Sequence, residues 1–484
     1  MMRIFVTAII MLSSLSLAAS NPHQAIKGPF KTPMEVTQNC LKCHQDSAKE
    51  VMETSHWTWE LEQEVPGRGK MKLGKKNAIN NFCISIYANW PMCTSCHIGY
   101  GWEDANFDFN DQTRVDCLVC HDNTGTYTKA LPGAGLPSGH TPKPAMKKAP
   151  PVNLVKVAQN VGKPTRQNCL LCHAAGGGGI NVKHGDIGTT LIKPDSQLDV
   201  HMGLDGLDYN CQQCHKTKEH LITGNAMSVS PGGETHIDCT DCHGEKPHRE
   251  VKAAKGYGEE GARKMRARLN QHSDRIACQT CHIPAVARET ETKTFWDWSA
   301  TVYSEDVPEE INKWAKTAFD PKKGTFVYQK NVVPTYRWYN RKASAYLVGD
   351  KIDPEKLTQI RAPLGNRDDK NAKIHPFKVH SGKQIYDTKH QYLITPKVFG
   401  YPDDLEAFWV NYDWTKAAEA GMKASGLVFS GEFDFAPTEM YWPLNHKVAP
   451  SKDALSCPEC HRTNGRMNWQ ALGYDGDPMD TAKK

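Results

Sequence analysis

Apolar residues in this chain fall in short patches, with one extended block at the start. Ile4 to about Leu17 follows Arg3 and runs into small residues at Ala18 to Ser20. That order predicts a secretory signal peptide over residues 1–20, to be excluded from the fold. No later stretch approaches the roughly 18 apolar residues in a row that a membrane span needs. The mature chain is therefore expected to lack a transmembrane segment and, in a bacterium, to be periplasmic. Helical patterning is clearest in "GEEGARKMRARLNQH" (Gly258 to His272) and in "DWTKAAEAGMKASG", which Asp413 caps and Gly426 stops. Alternating runs such as "TFVYQKNV", with the aromatic stretches "KTFWDWS", "PTYRWYN" and "AFWVNYDW", mark strands from about Glu291 onward. "PGAGLPSGHTPKPAMKKAPP" (Pro132 to Pro151) reads as a surface loop.

Cysteines give this patchwork a purpose. Cys-x-x-Cys-His occurs eight times: Cys40, Cys43 and His44; Cys93, Cys96 and His97; Cys117, Cys120 and His121; Cys169, Cys172 and His173; Cys211, Cys214 and His215; Cys239, Cys242 and His243; Cys278, Cys281 and His282; Cys457, Cys460 and His461. One copy would leave a zinc knuckle or a redox dithiol open, but eight copies each followed by His point to c-type haem attachment. Thiols at i and i+3 share one side of a helical turn and reach the two vinyl carbons of one porphyrin. The next His supplies the proximal nitrogen. Eight covalent haem c groups are expected, using sixteen of the seventeen cysteines and leaving Cys83 over.

Haem density divides the chain into the signal peptide (1–20), a heptahaem region (21–290), a haem-poor α+β covering region (291–455), and the eighth unit with a C-terminal tail (456–484). The expected fold is mainly α with extensive irregular structure, short helices and loops wrapping a haem array beside a mixed α/β segment. Only 39% of residues are AVILMFWYC, and mean hydropathy is -0.59. Porphyrin is expected to supply much of the missing core. The formal charge of +5 does not indicate nucleic-acid binding, because haem propionates change the surface field.

Of 21 histidines, thirteen are not proximal. His23, near the mature terminus, and His375, His380 and His390, in the haem-poor region, read as structural or surface residues. The distal-ligand candidates are His56, His140, His184, His201, His220, His236, His248, His272 and His446. Nine candidates for eight positions permit an electron wire with every iron bis-His. They equally permit seven bis-His irons and one special iron.

The sequence resembles the octahaem tetrathionate reductase family of periplasmic cytochromes. The resemblance rests on the eight units with the last far downstream, on "NNFC" and "NWPMCTSCHIGYGW" between Asn80 and Trp102, on "CLLCHAAGGGGINVKHGD", and on "KTFWDWS", "IHPFKVHSGKQ" and "MYWPLNH". It covers nearly all of the mature chain. It implies that the second haem is the active one, with a lysine amine as distal ligand and an unpaired cysteine nearby. Cys83 matches that cysteine and Lys183, in "NVKHGD", is the lysine expected on the iron, with Lys156 and Lys163 as fallbacks. The run Gly176 to Gly179 lets the loop approach a porphyrin closely, and a lysine on iron must be neutral, which a desolvated pocket favours.

The expected activity is reduction of a small inorganic sulfur or nitrogen species in anaerobic respiration, tetrathionate first, with nitrite or hydroxylamine as alternatives. Electrons would come from a redox donor protein or a quinol-linked cytochrome. Cys83 would attack the central S–S bond of tetrathionate by thiol exchange. A non-catalytic cytochrome with all irons bis-His is the alternative. Hydroxylamine oxidoreductases share the haem count but use a cross-linked tyrosine that nothing in this sequence singles out.

Overall fold

The computed structural model describes residues 21–82, 84–146, 149–174, 176–224, 237–251, 258–301 and 315–481. The expected signal peptide, Cys83 and His236 lie outside these residues. The architecture combines short helices and irregular loops with one mixed sheet in the C-terminal part.

Local caps set the short helices that carry the Cys-x-x-Cys-His units. Thr32 precedes Pro33–Cys40 and accepts the amide of Glu35 at 3.4 Å. Asp116 precedes Cys117–His121 and accepts from Val119 N at 3.1 Å. Thr165 and Asn168 form a reciprocal capping box on Arg166–His173. Helices this short are marginal alone, so a cap worth about 1 kcal/mol is a large share of what starts them. The helix Gly258–His272 covers the span that its pattern predicts.

The sheet is built around the 15-residue strand Lys373–Asp387. Its order is Ala315–Asp320, Gly324–Gln329, Thr292–Asp297, Lys373–Asp387, Phe433–Pro443 and Thr358–Arg361, with Thr335–Tyr339 and Tyr392–Leu393 also paired to the long strand. Most of the long strand is buried on both faces, which requires cover on each side. It pairs antiparallel with Thr335–Tyr339 as far as Pro376 and with Phe433–Pro443 from Phe377. Pro376, which has no amide to donate, thus sits where the long strand changes partners.

Two packings position the rest. Ile79, Phe82 and Val182 from the haem-rich part form one core with Ala436, Met440 and Trp442 of the sheet. The helix Trp414–Ser425 is capped by Asp413, which accepts from Lys416 N at 3.1 Å, and stops at Gly426 in the left-handed region at φ 75°. It presses so closely on the chain after the long strand that a Cβ at Gly421 would collide with the Thr395 carbonyl. Gly421→Ala is therefore expected to lower stability by roughly 1–3 kcal/mol, read as a lower thermal midpoint by circular dichroism. An unchanged midpoint would show that the helix can lift away.

Candidate haem array and the site at the second unit

In seven units the histidine continues a regular turn. His44, His215, His243 and His461 donate their backbone N–H to the carbonyl of the first cysteine of the unit at 2.8–2.9 Å, and His121, His173 and His282 end α-helices. The eight units also lie next to one another, with the second branching from the fourth. Sulfurs of the first and third units (Cys40, Cys117), second and fourth (Cys96, Cys172), fourth and fifth (Cys169, Cys211) and sixth and seventh (Cys239, Cys278) are close neighbours. Cys120 with Cys172, Cys214 with Cys242 and Cys281 with Cys460 lie close enough to interact electrostatically. These links join all eight units into one array.

Each of those seven histidines also faces a second imidazole. Ring centroids are separated by 6.2 Å for His23 and His44, 6.0 Å for His56 and His173, 6.3 Å for His121 and His220, and 6.0 Å for His201 and His243. They are 6.3 Å apart for His215 and His446, 6.4 Å for His248 and His282, and 6.2 Å for His272 and His461. Rings at that distance do not touch. One metal held at about 2 Å by an imidazole nitrogen on each side gives this centroid spacing, about 6.3 Å.

Outer partners orient several of the rings. Nδ1 of His121, His215 and His461 donates to Gly162 O, Thr223 O and Asp477 Oδ1 at 2.8, 2.8 and 2.7 Å, and Nδ1 of His220 bonds Glu50 Oε2 at 2.6 Å. A proton fixed on Nδ1 leaves Nε2 bare, the tautomer that binds a metal. Arg361, only 1% exposed, has no partner for its guanidinium nitrogens among the described residues, and a haem carries carboxylates of the kind that would satisfy it. The residues present fit haem.

The second unit is different. Its turn tightens to a 3-10 helix at Thr94–Cys96, and His97 N donates to Thr94 O instead of Cys93 O. His97 is 0% exposed inside a cage of Trp57, Trp59, Trp102, Phe107 and Phe109, and burial pushes its pKa down to about 3. Nε2 donates to Trp57 O at 2.7 Å, while Nδ1 accepts Gly99 N at 3.0 Å. Metal ligation through Nε2 requires breaking the bond to Trp57. No second histidine faces His97 among the described residues.

Lys183 lies between the 3-10 turns Ile180–Val182 and His184–Asp186, in the left-handed region at φ 48°. Gly178 and Gly179 are left-handed too, and a Cβ at Gly178 would strike the Phe82 carbonyl. The glycine run thus allows close approach to Phe82, the neighbour of Cys83 in sequence. Lys183 is 2% exposed and its Nζ donates to both the carbonyl and the hydroxyl of Thr290. Burial, reinforced by Lys447, lowers its pKa to about 8. Lys156 and Lys163 are exposed instead.

Other candidates fall elsewhere. His140 donates Nε2 to Val152 O at 2.9 Å. His184 bonds Gly177 O at 3.2 Å and lies edge-on to Trp442, 4.0 Å between centroids. Neither forms a ring pair with a proximal histidine among the described residues. His23, read from sequence as surface or structural, is the residue that faces His44. Sequence reading also missed Lys129, which donates to His97 O at 2.7 Å and pairs with buried Asp116 at 2.7 Å. Tyr100 and Tyr127 donate to the same carboxylate at 2.8 and 2.5 Å.

Comparison with known proteins agrees with this geometry. A family model described as bacterial cytochrome c matches residues 293–464. An uncharacterised protein of Archaeoglobus fulgidus is 25% identical over 41% of this chain and 78% of its own. The crystal structure of octahaem cytochrome c from Shewanella oneidensis superposes with a TM-score of 0.84 at 48% identity, covering 96% of this chain and 99% of that one. With eight attachment units in one array and this likeness over almost its whole length, the chain belongs to the octahaem c-type cytochromes, whose haem c is covalently bound.

Proposed function

We propose that the protein is a periplasmic multi-electron reductase of a small inorganic sulfur or nitrogen species, acting at the second unit. Tetrathionate is the first candidate, with nitrite and hydroxylamine as alternatives. The observation that carries this reading is the asymmetry among the proximal histidines: seven face a second imidazole, and His97 faces none among the described residues. An electron carrier with every iron bis-His requires a histidine opposite His97, so the asymmetry favours the reductase. Absence of any long apolar helix among the described residues accords with an exported protein that receives electrons from a donor protein or a quinol-linked cytochrome.

When bound, the haems would store electrons and supply them to a small substrate at the second unit. His44, His121, His173, His215, His243, His282 and His461 would hold seven haem irons together with His23, His220, His56, His446, His201, His248 and His272, respectively. Lys183 serves the second unit, where burial favours the neutral amine that a ligand must be. In tetrathionate cleavage the Cys83 thiolate attacks one sulfur of the central S–S bond. Thiosulfate leaves with the electron pair of that bond, and Cys83 keeps the other half as an S–S–sulfonate. Two electrons and one proton then release the second thiosulfate and restore the thiol.

Three substitutions test the assignment. His23→Ala is expected to convert one haem from low to high spin in the magnetic circular dichroism spectrum, and an unchanged spin count would remove His23 from the ligand set. Lys183→Met is expected to alter a single haem signal, leave the seven histidine-paired haems intact, and lower kcat/KM at least about tenfold. With a reduced viologen as donor, Cys83→Ser is expected to lose tetrathionate turnover and keep nitrite turnover. Full tetrathionate turnover by that variant would end the thiol-exchange mechanism.

A further inference from the structure

The inner face of the sheet, beside Lys183, carries buried polar groups that find no partner among the described residues. Both ring nitrogens of His380 and Nε1 of Trp442 have no hydrogen-bond partner among the described residues, and the two residues are 0% and 2% exposed. His380 lies opposite Met440 and Lys378 opposite Trp442 in the antiparallel ladder. Alternation along each strand therefore projects Lys378, His380, Met440 and Trp442 from one face, with His380 and Trp442 as diagonal neighbours. His184 and Phe82 rest on that face, their ring centroids 4.0 and 5.0 Å from Trp442. Asn81, two residues before Cys83, donates Nδ2 to His380 O at 2.5 Å.

The surroundings favour negative charge. Lys378 and Lys293 are buried, 1% and 4% exposed, and both act electrostatically on His380. Lys378 Nζ is tied to Val182 O and to Thr292 Oγ1, the latter at 2.7 Å. Asp186, whose charge reaches Lys378 and Lys183, is already paired with Lys447 at 3.1 Å, both fully buried. Burial holds His380 neutral, with its pKa far below the usual range, so it offers one N–H donor. An apolar ligand would leave these donors unsatisfied, at a cost of about 1–3 kcal/mol each, and a cation would offer them no acceptor. An acceptor carrying negative charge meets both needs.

We propose that His380 and Trp442 form the oxyanion-binding wall of the site lined by Lys183, selecting small oxyanions such as sulfonates and nitrite. Its placement beside Lys183 rests on the reading given under Proposed function, while the anion site itself is measurable without turnover. Sulfate, which is not reduced, is titrated into the oxidised holoprotein at constant ionic strength by calorimetry. Trp442→Phe and His380→Phe, checked for full haem content, are each expected to weaken sulfate binding about tenfold or more. In both variants KM for tetrathionate is expected to rise similarly while kcat stays within about twofold. Absence of sulfate binding by the wild type, or equal affinity in both folded variants, overturns the proposal. Sulfate binding that depends on both residues in a protein inert to tetrathionate, nitrite and hydroxylamine would keep the anion site and reject the reductase.

Discussion

The constraint on which the rest of this structure depends is that seven pairs of imidazoles face each other at 6.0–6.4 Å. Such pairs are too far apart for direct contact and too close for a side chain to stand between them. Several join distant parts of the chain: His56 meets His173, His215 meets His446, and His272 meets His461. A chain that is 39% hydrophobic has less apolar surface than usual to bury against the entropy of ordering. In the proposed holoprotein each pair becomes a metal crosslink, and the entropy of closing long loops grows only slowly with their length. That makes remote pairs efficient staples for helices of four to eight residues.

The sheet serves the array as a backing plate. Its long strand changes partners at Pro376, so one continuous segment supports both Thr335–Tyr339 and Phe433–Pro443. The inner face meets Ile79, Phe82 and Val182, which flank Cys83 and Lys183 in sequence. Lys378 reaches from that face to the Val182 carbonyl. The loop presenting Lys183 is thus held from the sheet side by a buried amine and by apolar packing, which suits a group whose position has to be reproducible.

The sequence made legible whatever depends on residues near one another in the chain. Cys-x-x-Cys-His, the Asp413 and Gly426 ends of one helix, and the span Gly258–His272 all follow from spacing and caps. Pairings of histidines do not, because they are tertiary. His23 reads as a surface residue near a terminus, yet it faces His44 with its Nδ1 held by Asn21 Oδ1 at 3.0 Å. His184 looked like a ligand beside Lys183, but a glycine-rich loop turns it onto Trp442. The orphaned nitrogens of His380 were equally invisible, since periodicity reports that a strand residue is buried and not whether its neighbours satisfy it.

The distinct second unit also has a mechanical cause that no motif reveals. Its histidine gives up the regular turn, and side chains replace what the helix would have supplied. Thr94 Oγ1 donates to Trp102 O at 2.7 Å, and Lys129 reaches His97 O. Lys129 is in turn paired with Asp116, whose other contacts are Tyr100, Tyr127 and the N-terminus of the helix carrying the third unit. One buried carboxylate therefore starts the helix of the third unit and anchors the lysine that fixes the second. Separating such a pair inside the protein costs about 3–5 kcal/mol, because the remaining charge stays buried. The second unit cannot be displaced without disturbing the third. The proposed site of chemistry and the neighbouring member of the array are thus built as one rigid piece.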